Sequence, residues 1–185
     1  MNIDLKKEMI DLKDFALKSL QQTGEIYPIF KLISDTEIEV LLAVPWKSDK
    51  EKHTFLDKLA PTIFAYYKAE IVIMVSECWV TQIHIDYPSK TTRRDALNIS
   101  GFTRKGVETL SLVVDQIPNT KLKNGNPSWL VMEEFWASND NIDDAGDIPY
   151  AFSQSLKMRD LFTDEEITLR YKTISKYLEE SPPKE

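Results

Sequence analysis

The sequence predicts an α+β domain in which one antiparallel or mixed sheet of five to six strands carries helices packed on it. Three observations lead there. Apolar residues recur with a helical period at both ends of the chain, and between them lie alternating or continuous apolar runs with strand character. The segments follow the order α-β-β-α-β-β-β-(β)-α, and short turns between consecutive strands join antiparallel neighbours. The length of 185 residues, 42% of them apolar, with eight phenylalanines, seven tyrosines and four tryptophans, fits a single domain over 1–185 with its own core.

Residues 4–22 open the chain as a helix, because Leu5, Met9, Leu12, Ala16 and Leu20 share one stripe and Gly24 supplies a stop. Strands follow over 26–33 and 36–44, joined at Ser34-Asp35. In the second of them Ile38, Val40, Leu42 and Val44 alternate with Glu37 and Glu39. A second helix starts at Ser48, where Ser48 and Glu51 form a capping box. Leu56, Leu59, Ile63, Tyr66 and Tyr67 form its buried side, and Pro61 predicts a kink or break. Residues 71–82 are the longest strongly apolar run and read as a central strand covered on both faces. A polar connection is expected over 83–92, then strands over 94–103 and 107–117 around an Arg104-Lys105-Gly106 turn. After Asn124-Gly125-Asn126-Pro127, the aromatic run 129–136 reads as a strand rather than a short helix. Residues 139–149 read as an acidic loop. The last helix starts at Thr163, with Thr163 and Glu166 as its capping box. Its stripe is Ile167, Tyr171, Ile174 and Leu178, ended by Pro182-Pro183.

Composition narrows the function classes. A net charge of −7 works against nonspecific nucleic-acid binding, although Arg93, Arg94, Arg104 and Lys105 lie close together in sequence. Cys78 is the single cysteine, so neither an internal disulfide framework nor a multi-thiolate zinc site is available. No charged-then-apolar leader and no long uncharged apolar run is read, so a cytoplasmic location without membrane contact is expected. The sequon Asn98-Ile99-Ser100 is then a chance match.

Glu77 is the leading candidate residue. It interrupts the run Ile71, Ile73, Val75, Trp79 on one face of the central strand, and a carboxylate buried there needs a partner. Arg94 is the expected partner and Arg93 the second choice. The pair is read as a structural ion pair in preference to a catalytic carboxylate held by a guanidinium. His84 with Asp86 could share a metal, but no third ligand has telling spacing, and His53 lies in another element. Cys78 stands beside Val72, Met74 and Val80 on the other face and reads as a packed, inert thiol. The loop from Asp140 to Asp147 offers oxygen ligands, yet it lacks the calcium-loop order and a closing glutamate, so it reads as solvated. Neither a phosphate-binding glycine loop, a nucleophile elbow nor a nuclease-type E-x-K strand is present, and no cofactor is expected.

The strand Val75-Ser76-Glu77-Cys78-Trp79, followed by a polar insertion with Pro88-Ser89 and then by Arg93, Ala96 and Leu97, resembles a loose group of small bacterial, archaeal and phage proteins. These share an S-E-A-W strand followed by an R-x-E-x-L strand. The resemblance covers about residues 70–103, with Cys78 in place of alanine and Asp95 in place of glutamate. It implies a strand pairing and no activity. The chain therefore reads as a cytoplasmic accessory or binding protein without catalysis, of phage or mobile-element type, associating as a homodimer or with a protein partner. Trp129 and Trp136 are the expected contacts. The alternative is a small-molecule hydrolase or other enzyme with a cleft around Glu77, Arg93, Arg94 and His84.

Overall fold

The computed structural model describes residues 3–36, 38–44, 46, 48–84, 87–139 and 147–180, with the backbone alone for 82–84, 87–91, 147 and 177–180. Its elements are helix α1 (Leu5–Thr23), strands β1 (Ile29–Ser34) and β2 (Glu39–Ala43), helix α2 (Asp49–Thr54), a π-helical turn (Phe55–Leu59) and helix α3 (Ala60–Tyr66). Four long strands follow, β3 (Ala69–His84), β4 (Tyr87–Thr103), β5 (Gly106–Lys121) and β6 (Pro127–Asn139), then helices α4 (Asp147–Leu161) and α5 (Asp164–Glu180). The strands form one open sheet in the order β2-β1-β3-β4-β5-β6, and each neighbouring pair is antiparallel.

Strand alternation divides the core in two. Ile71, Ile73, Val75, Leu97, Ile99, Leu110 and Leu112 point to one face, where the stripe Met9, Leu12, Ala16 and Leu20 of α1 covers them. The other face presents Phe30, Leu32, Val72, Met74, Phe102 and Val107 to Leu56, Ile63 and Phe64 of the kinked helix and to Ala151 and Phe152 of α4. Each fully buried Leu, Ile or Phe contributes about 1.5–3 kcal/mol, so these two layers dominate the stability.

Local signals set the boundaries. Asp4 caps α1 by accepting from the Lys6 and Lys7 amides, and Gly24 ends it at φ 78°. Ser48 accepts from the Glu51 amide at the start of α2. The expected kink at Pro61 takes the form of a π turn. Pro61 has no N–H to donate into the preceding turn, and the Ala60 amide reaches back to the Phe55 carbonyl. Thr163 and Glu166 cap α5 reciprocally. The Glu166 amide donates to Thr163 Oγ1 at 3.3 Å, and the Thr163 amide donates to Glu166 Oε2 at 2.8 Å.

Two expectations are corrected, and one element is additional. Residues 83–84 and 87–92 of the expected connection are strand, since the β3–β4 ladder runs on through Gln82↔Thr92 and Ile83↔Thr91 to His84↔Tyr87; 85–86 lie outside the described residues. Ladder bonds are made by the backbone, so polar side chains do not end a strand. The acidic loop stops at Asp147, where α4 begins; its remainder, 140–146, lies outside the described residues. Helix α4 itself was not foreseen, because Ser155 and Arg159 break its apolar stripe. Ser155 is fully buried, with its hydroxyl donating to the Phe152 carbonyl at 2.7 Å, so a polar residue sits in the core at little cost.

Candidate functional site

The expected pairing of Glu77 with Arg94 does not form. Glu77 faces Leu97 across the β3–β4 ladder, whereas Arg94 faces Val80. The offset is odd, so the two side chains lie on opposite faces of the sheet. Glu77 is exposed beyond the end of α1, and its Oε1 accepts the Ile26 amide at 3.0 Å. It pins the chain as it leaves α1 for β1.

Arg94 is instead held by two other carboxylates, donating from Nη1 to Glu133 Oε1 at 2.6 Å and from Nη2 to Asp115 Oδ2 at 3.0 Å. Those two hydrogen bonds hold its guanidinium pKa above the ordinary range, against the effect of desolvation. It thereby ties β4 to β5 and β6. Arg93, the second choice, shares the face of Glu77 but stacks on Trp79, 3.4 Å from the ring centroid. Trp79 is the most exposed tryptophan, at 64%. Glu77, Trp79, Asp95 and Trp129 line a cavity of about 340 Å³ at the C-terminal end of α1. Of the four residues expected around one cleft, Glu77 and Arg93 share a face and Arg94 lies on the other.

His84 ends β3, and its side chain, like Asp86, lies outside the described residues. His53 is exposed on α2. Cys78 is half-buried, and burial pushes its thiol pKa up, which disfavours the thiolate a nucleophile needs. Among the described residues no group of three or more His, Cys, Asp or Glu is placed to hold a metal ion, and no described helix is long and apolar enough to cross a membrane.

A second groove, of about 360 Å³, lies between the sheet and the start of α4. On its floor Asn98 donates to Ser100 at 3.0 Å, with Thr109 3.4 Å beyond, and Asn98 in turn accepts from Ser111, outside the lining, at 3.1 Å. These groups satisfy one another, which explains how Ser100 and Ser111 are tolerated in a buried position.

The charged clusters that sequence reading missed are structural. Lys31 is buried under α1, with its ammonium 2.5 Å from Glu8 and 3.0 Å from Glu39. Glu70 receives Arg159 at 2.8 Å and Arg104 at 2.9 Å. Burial would raise the Glu70 pKa, but the two guanidinium hydrogen bonds outweigh it and hold the carboxyl below its usual value.

The outstanding surface feature is β6. It is the last strand of the sheet, and no strand among the described residues pairs with its outer edge. Every residue from Leu130 to Asn139 is exposed. Leu130, Val131, Met132, Phe135 and Trp136 are large apolar side chains in that stretch. Of the two tryptophans expected as contacts, Trp136 is exposed there, with Lys6 5.6 Å from its ring centroid. Trp129 is half-buried against the α1 layer and donates from Nε1 to the Gly24 carbonyl at 3.2 Å, so it anchors the strand. The opposite edge, β2, is only five residues long.

No family model matches the chain, and no curated protein or solved structure shows significant similarity to it. The functional reading therefore rests on the geometry.

Proposed function

We propose that this chain is a non-catalytic binding module that engages a protein partner along the outer edge of β6. The observation that carries the reading is the exposure of five large apolar side chains on an edge strand of 13 residues whose outer side pairs with no strand among the described residues. Sheet edges of this kind are normally short, charged or covered, because their open N–H and C=O groups recruit other strands. The β2 edge follows that rule by its length; β6 carries Glu133, Glu134 and a register shift at Met132, yet it still sets five large apolar side chains in the open over 13 residues. Added-strand recognition uses the edge for main-chain hydrogen bonds and alternate side chains for specificity. Arg94 holds Glu133 on one face of the sheet and Lys13 holds Glu134 on the other, so a partner meets a braced edge.

The test compares the wild type with Leu130→Lys/Phe135→Lys, which alters two exposed side chains and should fold normally. Each protein is isolated from native cells, and amide exchange maps the footprint of whatever co-purifies. Protection confined to 130–136 in the wild type, with the partner lost from the variant, is the expected result. A partner retained equally by both proteins, or a footprint elsewhere, contradicts the reading.

A further inference from the structure

We infer that the segment received by β6 is an extended strand with two adjacent basic residues flanked on both sides by apolar residues; this rests on the edge-binding reading above. The β5–β6 register assigns the faces. Glu133 faces Val113 and Glu134 faces Leu112, so the two acids point to opposite sides of the sheet. Each acid has apolar neighbours on both sides along the strand, with Leu130, Val131 and Met132 before and Phe135 and Trp136 after.

A second copy of the chain is a poor occupant. The strand would run antiparallel to itself, with Met132 left out of the ladder at its register shift. A register that lays Leu130 on Phe135 then sets Glu133 on its own copy, while one that lays Val131 on Trp136 sets Glu134 on its own copy. Like charges directly opposed across strands are destabilising. A basic pair at the same place removes that conflict.

The carboxylates have capacity for it. Glu133 meets Arg94 through Oε1 at 2.6 Å, and Glu134 meets Lys13 through Oε2 at 3.4 Å, so each uses one oxygen in these contacts. On the Glu133 face, Arg94 is shared with Asp115, which leaves one guanidinium against two carboxylates. The overall charge of −7 favours approach of a basic partner.

Fluorescently labelled, end-capped Val-Val-Lys-Lys-Thr-Val-Val is titrated with the full chain, beside the same peptide carrying Glu-Glu at the centre. The lysine peptide should bind on the order of tenfold tighter at low salt, since each opposite-charge cross-strand pair adds a modest favourable increment and each like-charge pair an unfavourable one. Salt should narrow the gap. Glu133→Lys/Glu134→Lys should invert the order, and Glu133→Gln/Glu134→Gln should abolish the preference if the reversed variant folds poorly. Equal binding of the two peptides, or binding of neither, overturns the charge assignment. In that case a native partner still lost from Leu130→Lys/Phe135→Lys leaves the edge-binding reading standing, and a partner unaffected by it removes both. A dimer in light scattering that this variant dissolves would make the occupant a second copy and refute the inference.

Discussion

Lys31 offers a quantitative test of how α1 is held to the sheet. Its side chain is 10% exposed and that of Glu8 17%, whereas Glu39, the outer member of the triad, is 52% exposed. Burial alone would lower the ammonium pKa, yet the hydrogen bonds to Glu8 and Glu39 outweigh it and raise it. Lys31→Met removes the cation and leaves the Glu8 carboxylate without its partner under the helix. Breaking one side of a buried pair costs about 3–5 kcal/mol, and the remaining exposure of Glu8 places this variant at the lower end of that range. Glu8→Leu should cost less, about 2 kcal/mol, because Glu39 still faces the ammonium. Replacing both, in Lys31→Met/Glu8→Leu, removes the stranded charges together and should return stability to within about 1 kcal/mol of wild type. Urea denaturation with an unchanged slope is the assay. Single-variant costs that simply add in the double variant would refute the argument, since partners in one buried pair must couple. The pH dependence carries the same sign. A raised lysine pKa contributes stability that is complete below the usual 10.5 and lost as pH rises through the higher folded value.

Further outcomes follow from the same geometry. Glu77→Ala should be mild, about 1 kcal/mol or less in urea denaturation, because its carboxylate is exposed and loses one hydrogen bond from Ile26; a loss of several kcal/mol would restore the buried-pair view. Thr163→Ala should cost about 1 kcal/mol by removing the α5 cap, and Thr163→Ser should restore most of it; equal stability of the two variants would discount the hydroxyl. The Tyr67 and Tyr171 hydroxyls lie 3.0 Å apart, joining α3 to α5, and this contact, with burial behind it, pushes the Tyr67 pKa up to about 12. The pair therefore contributes stability that is full below pH 10.0 and declines between 10.0 and about 12. Tyr67→Phe should flatten that decline in a series of thermal melts, and an unchanged slope would count against it.

Much of the architecture is legible in the residues themselves. The α1 stripe, the Ser48 and Thr163 caps, the interruption at Pro61 and the aromatic strand at 129–136 all follow from local spacing, and the structure contains each of them. What failed was non-local. The Glu77–Arg94 pairing depended on the β3–β4 register, which an apolar run does not determine when both faces are covered. One residue of offset carries Arg94 to the other side of the sheet and into the reach of Asp115 and Glu133. The extension of β3 and β4 was hidden by polar side chains on a backbone that pairs regardless. Helix α4 was hidden by a buried serine satisfied within its own turn. The exposure of β6 depends on its place in the strand order, so its apolar side chains read equally well as core. Trp129 and Trp136 show both outcomes on one strand.

The edge-strand account meets its most direct test in amide hydrogen exchange across β6, measured on the isolated chain and again with saturating Val-Val-Lys-Lys-Thr-Val-Val. Exchange in β6 should be faster than in the central strands when the chain is alone, because no strand among the described residues pairs with its outer side. Protection on binding should be confined to 130–136 and absent in Leu130→Lys/Phe135→Lys. Exchange in β6 as slow as in β3 for the isolated chain, or protection that appears at the 340 Å³ cavity beside Trp79 instead, would contradict the edge-strand account.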